Sequence, residues 1–257
     1  MPSFTSVISQ RTPCTGLFIS MFSDLAVALI GNSGFDCVIT DTEHTPVSAH
    51  EATHVVHAVA AASNGNLEQT ASLCPWSTPR RMHDKSCKGA RYPPLGQRSI
   101  GLIHAPFAGH NVEKTQGYCI ESKALDVAVV VMLESAEGVK SAKAILACEG
   151  VSGAFVGLFD LRLSLGLSGG DGDEPSLLGC LRQIVEADKA TEKPVGILAS
   201  STASLQKRLS LGFDYIINAT DAGLLAQAAE TSLQEARRTA TKKGAIDSSD
   251  ASTTVAD

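Results

Sequence analysis

An α/β barrel, eight parallel strands each followed by a helix, is the fold class that the 257-residue sequence predicts. Three observations predict it. Short runs that are apolar on both faces alternate with amphipathic stretches, the pattern of a parallel sheet covered by helices. Three of those runs start alike, "GFDCVIT", "GVSGAFVG" and "GFDYIIN", each behind a glycine where a helix would end. A length near 250 residues suits repeated βα units closed into a barrel better than an open doubly wound sheet.

The elements follow in order. "GLFISM" (16–21) is the first strand, and a helix forms around "DLAVALIGNS". "FDCVIT" (35–40) is the second strand, followed by the helix "SAHEATHVVHAVAAAS" (48–63) with Ser48 as N-cap. "ASLC" (71–74) is a short strand closed by Pro75. "DVAVVVML" (126–133), "SGAFVG" (152–157), "KPVGIL" (193–198) and "FDYIIN" (213–218) complete a set of seven. The stretch between the third and fourth has room for nearly two βα units at about 30 residues each. Yet residues 75–125 are rich in Pro, Gly, Arg, His and Lys, and "SIGLIHA" (99–105) is the best strand they offer. One barrel strand is expected to be missing. From Thr239 onward the chain is small, polar and without hydrophobic period, which predicts a single domain over 1–238 and a disordered tail over 239–257.

A net charge of −6 argues against a nucleic-acid surface, which needs clustered Lys and Arg. No segment reads as a signal peptide, and no run reaches the roughly 18–20 apolar residues that cross a bilayer. The seven cysteines stand singly with no C-x-x-C, so neither a zinc site nor a disulfide framework is indicated. Buried thiols in a reducing compartment are expected, and the whole fits a cytoplasmic enzyme of small molecules.

In a barrel of this kind the chemistry sits at the C-terminal ends of the strands. Three strand ends carry suitable groups: "DTEH" with Asp41, Glu43 and His44, "MLES" with Glu134, and "LFDL" with Asp160. Two carboxylates on neighbouring strand ends suit a hard divalent cation such as Mg²⁺ or Mn²⁺, which takes one or two protein carboxylates and keeps places for water and substrate. A 2-oxo acid would add its own oxygens, and His44 on a third strand end is placed to act as a base. Either acid alone reads more simply as a helix cap. Both together, beside "DTEH", favour a site.

The segments "GFDCVITDTEHTPVS", "ARYPPLGQRSIG", "VMLESAEGVKSAKAILACEGVSGAFVGLFDLRLSLGL" and "KPVGI" resemble, in that order, the HpcH/HpaI family of metal-dependent class II pyruvate aldolases. That family takes in 2-keto-3-deoxy sugar-acid aldolases and macrophomate synthase, and the resemblance covers roughly residues 14–238. It implies a (β/α)8 barrel of the phosphoenolpyruvate/pyruvate type and a carbon–carbon lyase working through a pyruvate enolate. It also implies a 2-oxo acid and an aldehyde or other acceptor as reactants, with homo-oligomers, trimers or hexamers, as the assembly. Glu134 and Asp160 fall on the family's metal-binding acids, and His44 on its proton-handling histidine. Asp41 and Glu43 belong to the same motif. Phe159 stands where a backbone amide meets the substrate carboxylate, and Tyr118 where macrophomate synthase sets a tyrosine near its substrate.

The departures are as specific. Where the family ends its third strand in an arginine, this chain has Leu73, and a glutamine two residues before the first metal acid is Met132. Between Asp84 and Lys85 the resemblance skips a helix end, the fourth strand and most of the next helix, together with an aspartate that partners the histidine. The missing strand and the missing family segment are one hole. Leucine supplies neither charge nor bidentate hydrogen bonds, and losing such a contact costs on the order of 10²–10³ in rate. A catalytically degenerate member, or a decarboxylase and bond-forming enzyme of secondary metabolism like macrophomate synthase, are therefore the alternatives. His50, His54 and His57 recur at helical spacing and could suggest a metal triad, but no acid or cysteine completes a recognised pattern, so they read as a partly exposed helix face. "GLSGGDGDEP" (166–175) lacks Walker and Rossmann patterns and reads as a flexible surface loop. "RYPPLGQR" reads as a structural connection.

Overall fold

Seven aliphatic runs form parallel strands: β1 (Cys14–Ile19), β2 (Cys37–Thr40), β3 (Ala71–Cys74), β4 (Ala128–Leu133), β5 (Gly153–Val156), β6 (Val195–Leu198) and β7 (Tyr215–Thr220). The computed structural model describes residues 8, 13–42, 44–62, 71–74, 88, 93, 96, 97 and 128–251. Among these the strands make one sheet in the order β2-β1-β7-β6-β5-β4-β3, the cyclic order of a barrel with β2 and β3 at its two edges. The strand count and positions match the sequence reading to within about two residues. The expected gap between Asp84 and Lys85, "SIGLIHA", and the eighth strand all lie outside the described residues.

The sheet is curled. β1 and β5 stand three strands apart, a separation of about 14 Å in a flat sheet, yet the rings of Phe18 and Phe155 meet edge to face with centroids 5.9 Å apart. Alternate residues face inward, with Ala128, Val130, Phe155, Tyr215 and Ile217 sharing one buried cluster with Cys14 and Cys37. The intervening residues Val129, Val131, Leu133, Ala154, Val156, Val195, Ile197 and Ile216 face outward onto helices. The Tyr215 hydroxyl crosses β6 to donate to the Ala154 carbonyl at 2.6 Å. Gly196 makes that crossing possible: a Cβ there would lie 2.1 Å from Cε2 of the ring. Burial first, and then the nearby acidic groups, push the Tyr215 pKa well above its ordinary value, so the phenol stays a donor.

The helices are α1 (Asp24–Gly31), α2 (Ala49–Ala62), α3 (Ala136–Lys140), α4 (Ala142–Leu146), α5 (Leu158–Ser164), α6 (Pro175–Thr191), α7 (Thr202–Leu211) and α8 (Asp221–Ala251). Ser48 caps α2 as expected: its Oγ accepts from Glu51 N at 3.3 Å, and the Glu51 carboxylate accepts in return from Ser48 N at 2.7 Å. Gly34, Gly150 and Gly212, the glycines expected at helix ends, all have positive φ. Leu177, Leu181, Ile184 and Val185 of α6 are buried against β4, β5 and β6. At about 1.5–3 kcal/mol for each fully buried aliphatic side chain, this contact outweighs any cap, worth about 1 kcal/mol.

Two expectations are corrected. Residues 166–174 are pinned rather than loose. The fully buried Arg162 donates from Nη1 and Nη2 to the Glu174 carboxylate at 2.6 and 2.7 Å, and from Nε to the Ser168 carbonyl at 2.9 Å. Arg208, also fully buried, holds Asp171 and the Gly172 carbonyl from α7. Glycines alone suggest looseness; two arginines supplied from outside the loop remove it. The tail differs too: α8 continues past Thr239 to Ala251. Its residues from Ala222 to Thr241 are exposed, so tertiary burial does not carry this helix. Ala, Glu, Gln, Lys and Arg over 226–243 supply helix propensity instead, a signal that hydrophobic periodicity does not register. Residues 252–257 lie outside the described residues.

Candidate active site

All strands being parallel, their C-terminal ends share one rim. β4 and β5 are adjacent with Leu133 opposite Val156, so the next residues, Glu134 and Gly157, stand side by side. Gly157 N donates to the Leu133 carbonyl at 3.1 Å. The Glu134 side chain lies over Gly157, in space that any larger residue would take: a Cβ there would be 2.8 Å from Glu134 Cβ and 3.1 Å from its Oε2. Gly157 is the N-cap of α5, whose first turn contains Asp160. Both acids therefore belong to one joint. A further bond ties it together, with Ala136 N donating to Ser164 Oγ at 3.0 Å from the last residue of α5. Glu134 is half-buried, whereas Phe159 and Asp160 are exposed.

Asp41 and His44 follow β2 in a tight turn. His44 N donates to Asp41 Oδ1 at 3.0 Å, and Thr45 Oγ1 donates to the Asp41 carbonyl. Asp41 thereby fixes the backbone on which the exposed His44 ring is carried. Asp41 N in turn donates to the Ile19 carbonyl at 3.1 Å, which ties the turn to the end of β1. Glu43 and Tyr118 lie outside the described residues. Leu73 is the third residue of β3, opposite Val130. The Met132 methyl sits against the same Gly157 that faces Glu134, 3.2 Å from where a Cβ would stand.

One rim residue escaped the sequence reading. Asp221 opens α8 and is buried, with its carboxylate accepting from Ser20 N at 2.9 Å, Ser20 Oγ at 2.5 Å, Met21 N at 2.9 Å and Ala222 N at 2.7 Å. It latches the end of β1 to the end of β7, strands far apart in sequence and adjacent in the sheet. An acid directly after the apolar run "YIINAT" was the available signal, the same one that drew attention to Glu134.

Among the described residues no three His, Cys, Asp or Glu side chains gather as a metal cluster. The pair Glu134 and Asp160 nevertheless suits a hard divalent ion, since such ions are held through one or two carboxylates, and Gly157 adds no side chain of its own beside Glu134.

The curled parallel sheet covered by helices defines an α/β protein with acidic side chains at its strand ends. The chain belongs to the HpcH/HpaI aldolase/citrate lyase family, whose profile matches residues 78–228. It is 28% identical to a hydroxypyruvate/pyruvate aldolase of Paraburkholderia phytofirmans, over 92% of this chain and 100% of the relative. It is 26% identical to a 4-hydroxy-2-oxo-heptane-1,7-dioate aldolase of Shigella boydii, over 94% of this chain and 98% of the relative. These homologues place it in the lyase class of enzymes. Among solved structures, a family member from Burkholderia cenocepacia superposes with a TM-score of 0.78 at 25% identity, over 91% of this chain and 98% of that one. Macrophomate synthase superposes with a TM-score of 0.81 at 18% identity, over 93% of this chain and 90% of that one, a likeness of fold alone.

The alignment with the Paraburkholderia enzyme spans 261 positions but uses 92% of this 257-residue chain, about 236 residues. About 25 aligned positions thus have no residue here, close to the length of one βα unit at about 30 residues.

Proposed function

We propose that this chain is a metal-dependent carbon–carbon lyase of the class II type that forms or cleaves a bond through the enolate of pyruvate or a related 2-oxo acid, with an aldehyde or other acceptor as the second reactant. The observation that carries the reading is the joint between β4 and β5, where Glu134 lies against Gly157 and Asp160 follows in the first turn of α5. Glu134 and Asp160 would hold Mg²⁺ or Mn²⁺. When bound, that ion supplies Lewis-acid stabilisation of the negative charge that develops on the keto oxygen.

The chain's own groups do the rest. A ring nitrogen of His44 takes the proton from the carbon next to the keto group and returns it in the reverse direction. Asp41 holds the turn that presents His44. The Phe159 backbone N–H, in the first turn of α5, faces the substrate carboxylate, where a helix N-terminus favours negative charge. Glu43 and Tyr118 complete the substrate contacts in this reading. The frame is a (β/α)8 barrel reduced by one βα unit. The assembly is a homo-oligomer, trimeric or hexameric, and the compartment is the cytoplasm; no described helix is long and apolar enough to cross a membrane.

A second reading is favoured by one residue. Leu73 lies on β3, whose neighbour β4 leads into Glu134, and stands where the resemblance expects an arginine. In that reading the chain binds metal and 2-oxo acid without turnover. Exchange of the pyruvate methyl protons in deuterated buffer with Mn²⁺ separates the two. The lyase reading expects exchange in the wild type, a drop of about 10²–10⁴-fold in His44→Ala, and at least a comparable drop in Glu134→Gln. A folded, metal-loaded wild type that exchanges nothing overturns it in favour of the binding role.

A further inference from the structure

The histidines of α2 have no part in the lyase reading, yet the structure pairs two of them closely. His50 and His54 are one helical turn apart on an exposed face. Their Nε2 atoms approach to 3.3 Å, with ring centres 4.9 Å apart and ring planes at 79°. For a ring N–H bond 3.3 Å is long. It is, however, the spacing a shared metal ion would impose: two nitrogens each about 2.0–2.1 Å from a tetrahedral Zn²⁺ stand about 3.3–3.4 Å apart, and their ring centres about 5.2 Å.

The neighbours hold this geometry. Phe22, from the segment after β1, meets the His54 ring edge to face at 6.3 Å. Glu51, on the same turn, has its Oε2 engaged by Ser48 N and Oγ at 2.7 Å each and adds negative charge near the pair. The His57 side chain lies outside the described residues.

We propose that His50 and His54 form a bidentate site for a borderline divalent ion of the Zn²⁺, Ni²⁺ or Cu²⁺ class, with water in the remaining positions. Donor chemistry sets it apart from the carboxylate pair at the ends of β4 and β5: imidazole selects these ions, whereas carboxylates and water suit Mg²⁺ and Mn²⁺. Both imidazoles bind the metal in the neutral form. The site stands independently of the lyase reading.

The test is calorimetric titration of the tag-free, full-length chain with Ni²⁺, and separately with Zn²⁺, in excess Mg²⁺ that fills hard-oxygen sites. The wild type is expected to bind each ion. His50→Ala and His54→Ala each weaken binding by at least ~10-fold, as losing a group that supports a metal does, while Glu134→Gln leaves the titration unchanged. Both histidines are exposed and alanine is the best helix former, so the variants should keep the wild-type far-ultraviolet dichroism. A wild type that binds neither ion, or equal binding in the wild type and both histidine variants, overturns the site. So does loss of binding in Glu134→Gln, which would assign the ion to the rim carboxylates. None of these outcomes depends on turnover, so failure here and failure of the lyase reading are read separately.

Discussion

The half of the sheet made by β4 to β7 and the half made by β1 to β3 use the same βα unit, and among the described residues they show different contacts. Behind β4, β5 and β6 lies a continuous buried cluster of 22 described residues that reaches into α3 to α6, with Leu205, Leu209 and Leu211 of α7 packed against it. Behind β1 the described cluster has six, mainly against α1 and α2. The first half also buries two arginines that clamp the loop before α6. The second carries both sheet edges, each four residues long. The proposed metal acids stand on the half made by β4 to β7, at the ends of neighbouring strands. His44, which would move a proton, stands on a turn held by hydrogen bonds at an edge.

The most direct way to break this contrast is to release the clamp. Asp171→Ala leaves the Arg208 guanidinium fully buried, with the Gly172 carbonyl as the partner that remains. Burial works against the Asp171 charge, but hydrogen bonds from Ser204 and Arg208 and the Arg208 charge hold its pKa below the usual carboxylate value. Removing one partner of a buried pair costs about 3–5 kcal/mol, and urea denaturation should show a loss of that size. Replacing both, Arg208→Met with Asp171→Ala, should recover most of it. An equally unstable double variant would mean that the arginine's stem, not its charge, holds α7.

Gly196→Ala probes the curl itself. Its Cβ would press on Tyr215 Cε2, Cζ and Cδ2 at 2.1–2.4 Å, and the ring is fully buried and tied to Ala154. Overpacking of this kind costs about 1–3 kcal/mol. The near-ultraviolet dichroism of Tyr215 should change with it. A variant as stable as the wild type would show that the sheet opens by enough to readmit the ring.

Much of this frame was legible in the sequence, because period and punctuation are local. All seven strands were found, and Ser48 and the three helix-ending glycines were placed from spacing alone. What stayed hidden was non-local. Nothing in "GLSGGDGDEP" announces that Arg162 and Arg208 will seize it, and Asp221 acquires its role only when β7 lies beside β1, some 200 residues away in sequence. Glu134 and Asp160 were read from the sequence as acids at or just past neighbouring strand ends, and they follow β4 and β5. The feature that seats Glu134, a glycine at 157 with no side chain to crowd it, was visible as a letter but not as a contact. His50 and His54 were seen as a spacing and set aside, since sequence shows the helical turn between two rings but not the direction in which they face.

The smallest expected effect separates local from global anchoring. Ser201 caps α7 in a reciprocal box, accepting from Ser204 N at 3.1 Å while its own N–H donates to Ser204 Oγ at 3.0 Å. Ser23 caps α1 with one bond, from Ala26 N at 3.4 Å. If caps act through their own hydrogen bonds, Ser201→Ala should cost about 1 kcal/mol and Ser23→Ala about half that. Because α7 has two cap hydrogen bonds and α1 one, the opposite order is the instructive failure. A Ser23→Ala variant less stable than Ser201→Ala would mean that α1 depends on its cap where α7 depends on its core. The contrast between the two halves would then extend from the clamp down to single hydrogen bonds.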